Sequence, residues 1–227
     1  METLIQRHWS VMGEVDRDHR VKLVVDEWGA WHQPGTEADR TFLFGQTSTM
    51  RDALIAALTL DTFHRHADKL AMANVAQLVN NLHSLFLAHE DRFVETPNFH
   101  VFEAYKAHQG GQAVRLIAAA PRISFSQGNT AATLWGLAGS ASLHDKRLVL
   151  TLVNPHVSET RSTEITVRGA SIGSCKVRTV SAPDIHAFNS FDHPHAVEPR
   201  DEVASVGRSL VWDVKPASVT RLEMELI

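Results

Sequence analysis

The chain has 227 residues, 44% of them hydrophobic and 21% charged, a composition that excludes intrinsic disorder, collagen-like repeats and charged tails. A formal net charge of −4 and a pI near 6.4 argue against nucleic acid as the main partner, because phosphate binding needs a basic excess. A membrane span is not expected, since no run approaches ~18 consecutive apolar residues; no signal peptide is expected either, and Cys175 as the single cysteine fits a reducing, cytoplasmic compartment.

Residues 2–15 carry Leu4, Ile5, Trp9, Val11, Met12 and Val15 at helical spacing and predict a helix. After a charged break comes Val21-Lys22-Leu23-Val24-Val25, a short run of the buried-strand type, ending in Asp26-Glu27-Trp28-Gly29. Residues 32–48 read as a long polar loop. Thr49 caps a helix to about Asp68, with Asp52 three residues on as a relative of the capping box. The run starting at Leu70 predicts a second buried strand, and residues 80–96 a long connection. Thr96-Pro97 opens a further helix that Gly110-Gly111 ends.

From about residue 112 the pattern changes to short runs rich in Val, Ile, Leu and Thr: 112–120, 147–153, 163–167, 176–181, 209–214 and 218–225. Gly, Pro, Asn and Asp separate them, as in an antiparallel β-sandwich. The expected organisation is therefore an α/β part over residues 1–111 and an all-β domain over residues 112–227. Two parallel strands cannot cover themselves, and a (β/α)₈ barrel takes roughly 250 residues, so the α/β part reads as the end of a larger barrel.

Asp26-Glu27-Trp28 stands at the carboxyl end of a predicted strand, where barrel enzymes carry their active sites. Strict alternation puts Asp26 and Glu27 on opposite sides. A strand-end acid alone is more often a helix cap or an Arg partner. Trp28 and Trp31 flank this one, and aromatic faces suit the apolar C–H surface of sugars.

Three stretches carry a family resemblance. Leu23-Val24-Val25-Asp26-Glu27-Trp28-Gly29-Ala30-Trp31-His32 resembles the nucleophile motif of the α-L-arabinofuranosidases of glycoside hydrolase family 51. The segment from His66-Ala67-Asp68 through Ala76-Gln77-Leu78-Val79-Asn80 is similar to that family's final barrel strand, and Asn189-Ser190-Phe191 through Val197-Glu198-Pro199 to a loop of its C-terminal β-domain. The resemblance implies the C-terminal portion of a (β/α)₈ TIM barrel followed by an antiparallel β-sandwich. It implies retaining hydrolysis of terminal α-L-arabinofuranosyl residues from hemicellulose- or pectin-derived oligosaccharides, in full-length members that are homo-oligomers. Glu27 is then the nucleophile, while Gln77 and Trp31 bind substrate; Asn80 matches the motif without a direct role. No cofactor or metal is implied. The family's acid/base Glu belongs to an Asn-Glu motif that does not occur here, so the chain alone is expected to be inactive. Glu37, Asp39, Glu90 and Glu95 are the loop acids near that rim. The alternative is a non-catalytic carbohydrate-binding or assembly module.

Other chemistry-bearing residues have bland readings. His64 and His66 stand two apart on a helix and chelate poorly. His193 and His195 flank Pro194 in a loop. Cys175 reads as an inert thiol in a turn before a strand, and Trp135 and Trp212 as sandwich core.

Overall fold

The computed structural model describes residues 1–33, 41, 44–206 and 209–227. The loop acids Glu37 and Asp39 lie outside the described residues. In chain order the first part holds α1 (Glu2–Gly13), β1 (Leu23–Trp28), α2 (Met50–Arg65), β2 (Leu70–Val75), β3 (Phe86–His89), β4 (Arg92–Glu95) and α3 (Pro97–Lys106). The rest holds β5 (Gln112–Val114), β6 (Ile123–Gln127), β7 (Thr130–Leu134), β8 (Ala138–His144), β9 (Arg147–Asn154), β10 (Arg161–Ile165), β11 (Ile172–Ser181), β12 (Pro199–Ala204), β13 (Leu210–Val214) and β14 (Ser218–Leu226).

β1 and β2 pair in parallel, with Val24 opposite Met72 and Trp28 opposite Val75. One face is covered: Leu23, Val25, Leu70, Ala73 and Val75 pack into a core with Met50, Ala53, Ala57 and Phe63 of α2 and Val101 and Tyr105 of α3. The other face is bare, and Val24 and Met72 are 52% and 53% exposed. Such a face belongs inside a barrel, since parallel sheets are buried on both sides. The register of β1 shifts between Val25 and Trp28. Strict alternation fails there as a result: Asp26 and Glu27 are both exposed and Trp28 is buried.

Residues 80–96 are not a bare connection. They contain the antiparallel β3–β4 hairpin, whose turn uses Glu90 at φ 54° and no glycine. The helix starts agree with expectation, with Thr49 and Thr96 as N-caps and Pro97 opening α3.

The all-β part is a six-stranded antiparallel sheet in the order β12-β11-β14-β9-β8-β5, with two-stranded ribbons β10–β13 and β6–β7. Leu148, Leu150, Leu152, Cys175, Val177, Leu222 and Met224 form one core with Ile165 of β10 and Leu210 and Val214 of β13. Val153, Val180 and Val219 join instead the core of α2 and α3. The sheet is thus covered by a ribbon on one side and helices on the other, and the continuous apolar run of β9 follows from burial on both faces. Cys175 lies within β11 rather than in a turn, and burial pushes its thiol up to about 11. Trp135 is not core: it is 52% exposed, with the Arg122 guanidinium 4.0 Å above its ring. Trp212 is partly buried against the sheet core.

Beside that apolar core, part of the contact between helices and sheet is polar. The His64 and Ser140 side chains lie 2.9 Å apart, and the His108 ring nitrogens contact Ser142 at 2.8 Å and Thr151 at 2.6 Å. Beside them the Tyr105 hydroxyl sits 2.7 Å from Asp61 Oδ1 and 3.1 Å from the Ala57 carbonyl. His66 caps the end of α2 and contacts Glu2 at 3.3 Å.

Candidate active site

The ends of β1 and β2 are locked together by the backbone. The Ala76 amide donates to the Trp28 carbonyl at 2.7 Å. Trp28 anchors the strand end: its buried indole meets Phe63 edge-on at 5.3 Å and stacks on Phe102 at 5.8 Å. With that neighbour fixed, the exposed Glu27 is carried on a rigid element, and Gln77 follows directly on Ala76. Gly29 lets the chain leave β1 at this point. A Cβ there would come within 2.9 Å of both the Ala76 carbonyl and His83, so the loops after the two strands approach too closely for a side chain.

Gln77 is exposed, and its Oε1 accepts from Asn81 Nδ2 at 3.1 Å. Asn80 acts on the hairpin. Its Nδ2 donates to the Ala88 carbonyl at 2.6 Å and its Oδ1 accepts from the Ala88 amide at 2.7 Å, so the side chain imitates a strand partner for β3. Trp31 is 59% exposed, with its ring 5.6 Å from that of Phe44. Glu90 and Glu95, at the turn and end of the hairpin, are exposed.

Beneath these residues lies a buried carboxylate whose reach the sequence did not reveal. Asp52 caps α2 by accepting from the Thr49 amide at 2.8 Å and the Thr49 hydroxyl at 2.9 Å. Its other oxygen accepts from His32 Nε2 at 3.0 Å and His83 Nδ1 at 3.2 Å. A carboxylate can only accept, so both facing ring nitrogens carry hydrogen. Burial raises the Asp52 carboxyl, but the bonds from His32, His83 and the Thr49 amide outweigh it and hold the group well below the usual carboxylate range. Gln46 completes the loop, accepting from the His32 amide at 2.7 Å and donating to the Ala30 carbonyl at 2.9 Å. Asp52 therefore ties together the loops that follow β1 and β2, the segments bearing Trp31 and Gln77. The capping-box spacing was visible in the sequence; the histidines, 20 and 31 positions away, leave no local signal.

The β-domain reaches the same rim through residues 182–198. The Met50 and Arg51 amides, in the first turn of α2 where the helix itself offers no acceptor, donate to the carbonyls of Ala187 and Ile185 at 2.9 and 2.7 Å. Asn189 is buried and donates to the Glu95 and Val197 carbonyls at 2.9 and 3.0 Å, while its Oδ1 accepts from the Val197 amide at 2.7 Å. Phe191 then lies under the Arg92 guanidinium of the hairpin, 4.6 Å away. Among the described residues no group of three His, Cys, Asp or Glu side chains is arranged to hold a metal ion.

A family profile described as the alpha-L-arabinofuranosidase C-terminal domain matches residues 26–218. The chain belongs to this family. An intracellular exo-alpha-L-arabinofuranosidase of Bacteroides ovatus is 31% identical over 206 residues, which are 88% of this chain and 38% of that protein. The family 51 arabinofuranosidase of Xanthomonas axonopodis pv. citri superposes with a TM-score of 0.87 at 32% identity, over 99% of this chain and 45% of its own. The arabinose complex of the Thermotoga maritima alpha-L-arabinofuranosidase has a TM-score of 0.79 at 24% identity, covering 99% of this chain and 46% of that one, and supports the fold alone. The chain thus spans less than half the length of these arabinofuranosidases. Its architecture is the C-terminal portion of a (β/α)₈ barrel followed by an antiparallel β-sandwich.

Proposed function

We propose that this arabinofuranosidase family member supplies the nucleophile-bearing part of a retaining glycoside hydrolase that removes terminal α-L-arabinofuranosyl residues. Residues 1–111 are assigned to the barrel and 112–227 to the sandwich domain. The Glu27 carboxylate attacks the anomeric carbon as the glycosidic bond breaks, and the leaving oxygen takes a proton from a second carboxylic acid. Water then cleaves the glycosyl ester, and the second group recovers its proton. That acid belongs to the part of the barrel not contained in this chain. Gln77 and Trp31 hold the sugar. A cytoplasmic location follows the name of the Bacteroides relative, which is an intracellular enzyme, and the assembled enzyme is a homo-oligomer.

The observation that carries the reading is the juxtaposition of exposed Glu27 and exposed Gln77 at the locked ends of the parallel pair, on the sheet that leaves Val24 and Met72 uncovered. The experiment is covalent labelling. This chain is fused behind the N-terminal part of the Xanthomonas enzyme, in place of its matching C-terminal part, and treated with a mechanism-based arabinofuranosyl probe. Label on Glu27, lost in Glu27→Gln, is expected. Undiminished labelling of Glu27→Gln would remove Glu27 from the role.

A further inference from the structure

We propose that Asn81 is a positioning residue that makes Gln77 a hydrogen-bond donor toward the sugar. This rests on the reading of Gln77 as a sugar contact and deepens it, by fixing which end of the amide meets the ligand.

The oxygen and nitrogen of a side-chain amide are told apart by their partners. The relay starts from a group with no ambiguity, the backbone amide of Leu82, which can only donate. It lies 2.8 Å from Asn81 Oδ1 and is shared with the Phe44 carbonyl at 2.9 Å. The Asn81 atom at that place has to be oxygen, because nitrogen there would set donor against donor. Asn81 therefore turns its NH₂ toward Gln77, 3.1 Å away. By the same rule the Gln77 atom facing it is Oε1. What Gln77 presents outward is Nε2, with two N–H donors on an exposed side chain. Among the described residues Nε2 has no acceptor, which leaves it to the ligand.

The ligand atom opposite Gln77 must then be an acceptor, either a sugar hydroxyl oxygen or the ring oxygen. A ring oxygen can only accept, so a Gln77 reversed end for end would repel it. Asn81 selects between these two states with one hydrogen bond.

Two substitutions separate positioning from mere support. In Asn81→Asp the carboxylate still accepts from Leu82, but its other oxygen cannot donate; Gln77 reverses, gives Nε2 to the aspartate and shows Oε1 to the sugar. In Asn81→Ala the amide is released without being reversed. In the fusion with the Xanthomonas N-terminal part, kcat/KM on an aryl α-L-arabinofuranoside is expected to fall about tenfold or more in Asn81→Asp and less in Asn81→Ala, the range expected for an unmatched polar pair. Melting temperatures should move little, since Gln77 is exposed and Asn81 only half-buried. In this chain alone, nuclear magnetic resonance should detect a coupling across the hydrogen bond from Asn81 Nδ2 to the Gln77 side-chain carbonyl carbon. Coupling in the opposite sense, from Gln77 Nε2 to the Asn81 carbonyl, overturns the proposal even if the fusion does not fold. Equal turnover in wild type, Asn81→Asp and Asn81→Ala, alongside a damaging Gln77→Ala, overturns it while sparing the sugar contact. Full activity in Gln77→Ala instead removes the sugar contact on which it rests.

Discussion

Removing the carboxylate of Asp52 would strand donors on three sides at once. His32, His83 and Thr49 all point hydrogens at it, and the group is fully buried. Stranding a buried donor costs about 1–3 kcal/mol, and several are stranded here, for a total of about 3–5 kcal/mol. Asp52→Ala should therefore lower the melting temperature by roughly 6–20 °C, at about 2–4 °C per kcal/mol for a chain of this size. Hydrogen exchange should quicken first at residues 30–32 and 81–84, which the carboxylate ties together. A variant that melts like wild type would show that the bonds do not hold the loops. At this scale the sequence was legible where partners are close: Thr49 and Asp52 stand three apart and announce a cap. It was silent on His32 and His83, whose meeting depends on two loops converging over Gly29. Trp135 shows the limit for apolar residues. An indole reads as core, yet this one sits outside under Arg122.

Between elements, α2 and the turn after α3 rest on β8 and β9 beside groups that titrate in opposite directions. His108, held by Ser142 and Thr151, is pulled down to about 3 by burial and then by the neighbouring His64, His144 and Arg221. Asp61 is pushed up to about 7 by burial, against the lowering effects of Tyr105, Ser140 and Arg65. A neutral Asp61 also fits the hydrogen bonds. One Tyr105 proton cannot serve both Asp61 and the Ala57 carbonyl, but a protonated Asp61 donates to Tyr105 while Tyr105 donates to Ala57. The folded His108 takes a proton less readily than the unfolded one, so its contribution is present above about 6.5 and is lost as pH falls toward 3. The folded Asp61 takes one more readily, so its contribution is full below 3.8 and is lost as pH rises through about 7. Across the shared window the two slopes oppose. Asp61→Asn keeps a neutral donor toward Tyr105 and removes one slope. Urea unfolding from pH 4 to pH 7 should then show a steeper loss of stability toward acid than in wild type, the two curves diverging by up to about 1 kcal/mol per pH unit. Parallel curves would mean that Asp61 is ionised in the folded chain. None of this was visible in sequence, and neither was β8. Its buried positions include Ser140 and Ser142, which break the apolar pattern because they face histidines. The β3–β4 hairpin escaped for another reason: its turn runs through Glu90 and Asp91, without the glycine or proline that marks a turn.

For the whole molecule, the division between a partial barrel and a sandwich was readable because two strands of buried type were too few to close anything. The bare face follows from the same count. Val24 and Met72 stand opposite each other and half exposed, and α1 leaves Leu4 and Val11, seven residues apart and so on one side of the helix, uncovered as well. Exposed apolar faces beside open parallel edges invite association. The isolated chain is expected to self-associate in sedimentation velocity, and Val24→Lys with Met72→Lys should reduce this. The isolated chain is expected to lack catalysis for a related reason. General acid catalysis contributes typically 10²–10⁴-fold, and orientation within a closed pocket can supply several kcal/mol more. Both act on one transition state, and this chain holds neither the acid nor the remaining pocket wall. Purified alone, it should show no measurable hydrolysis of an aryl α-L-arabinofuranoside, even with a leaving group that needs little protonation. Addition of a separately expressed N-terminal barrel part should restore turnover if that part covers the Val24–Met72 face, and the lysine pair at those positions should block the rescue while leaving the sandwich folded. Turnover by the isolated chain that is lost in Glu27→Gln would overturn the incomplete-pocket argument, and would point to a rim acid such as Glu90 or Glu95 as the proton donor.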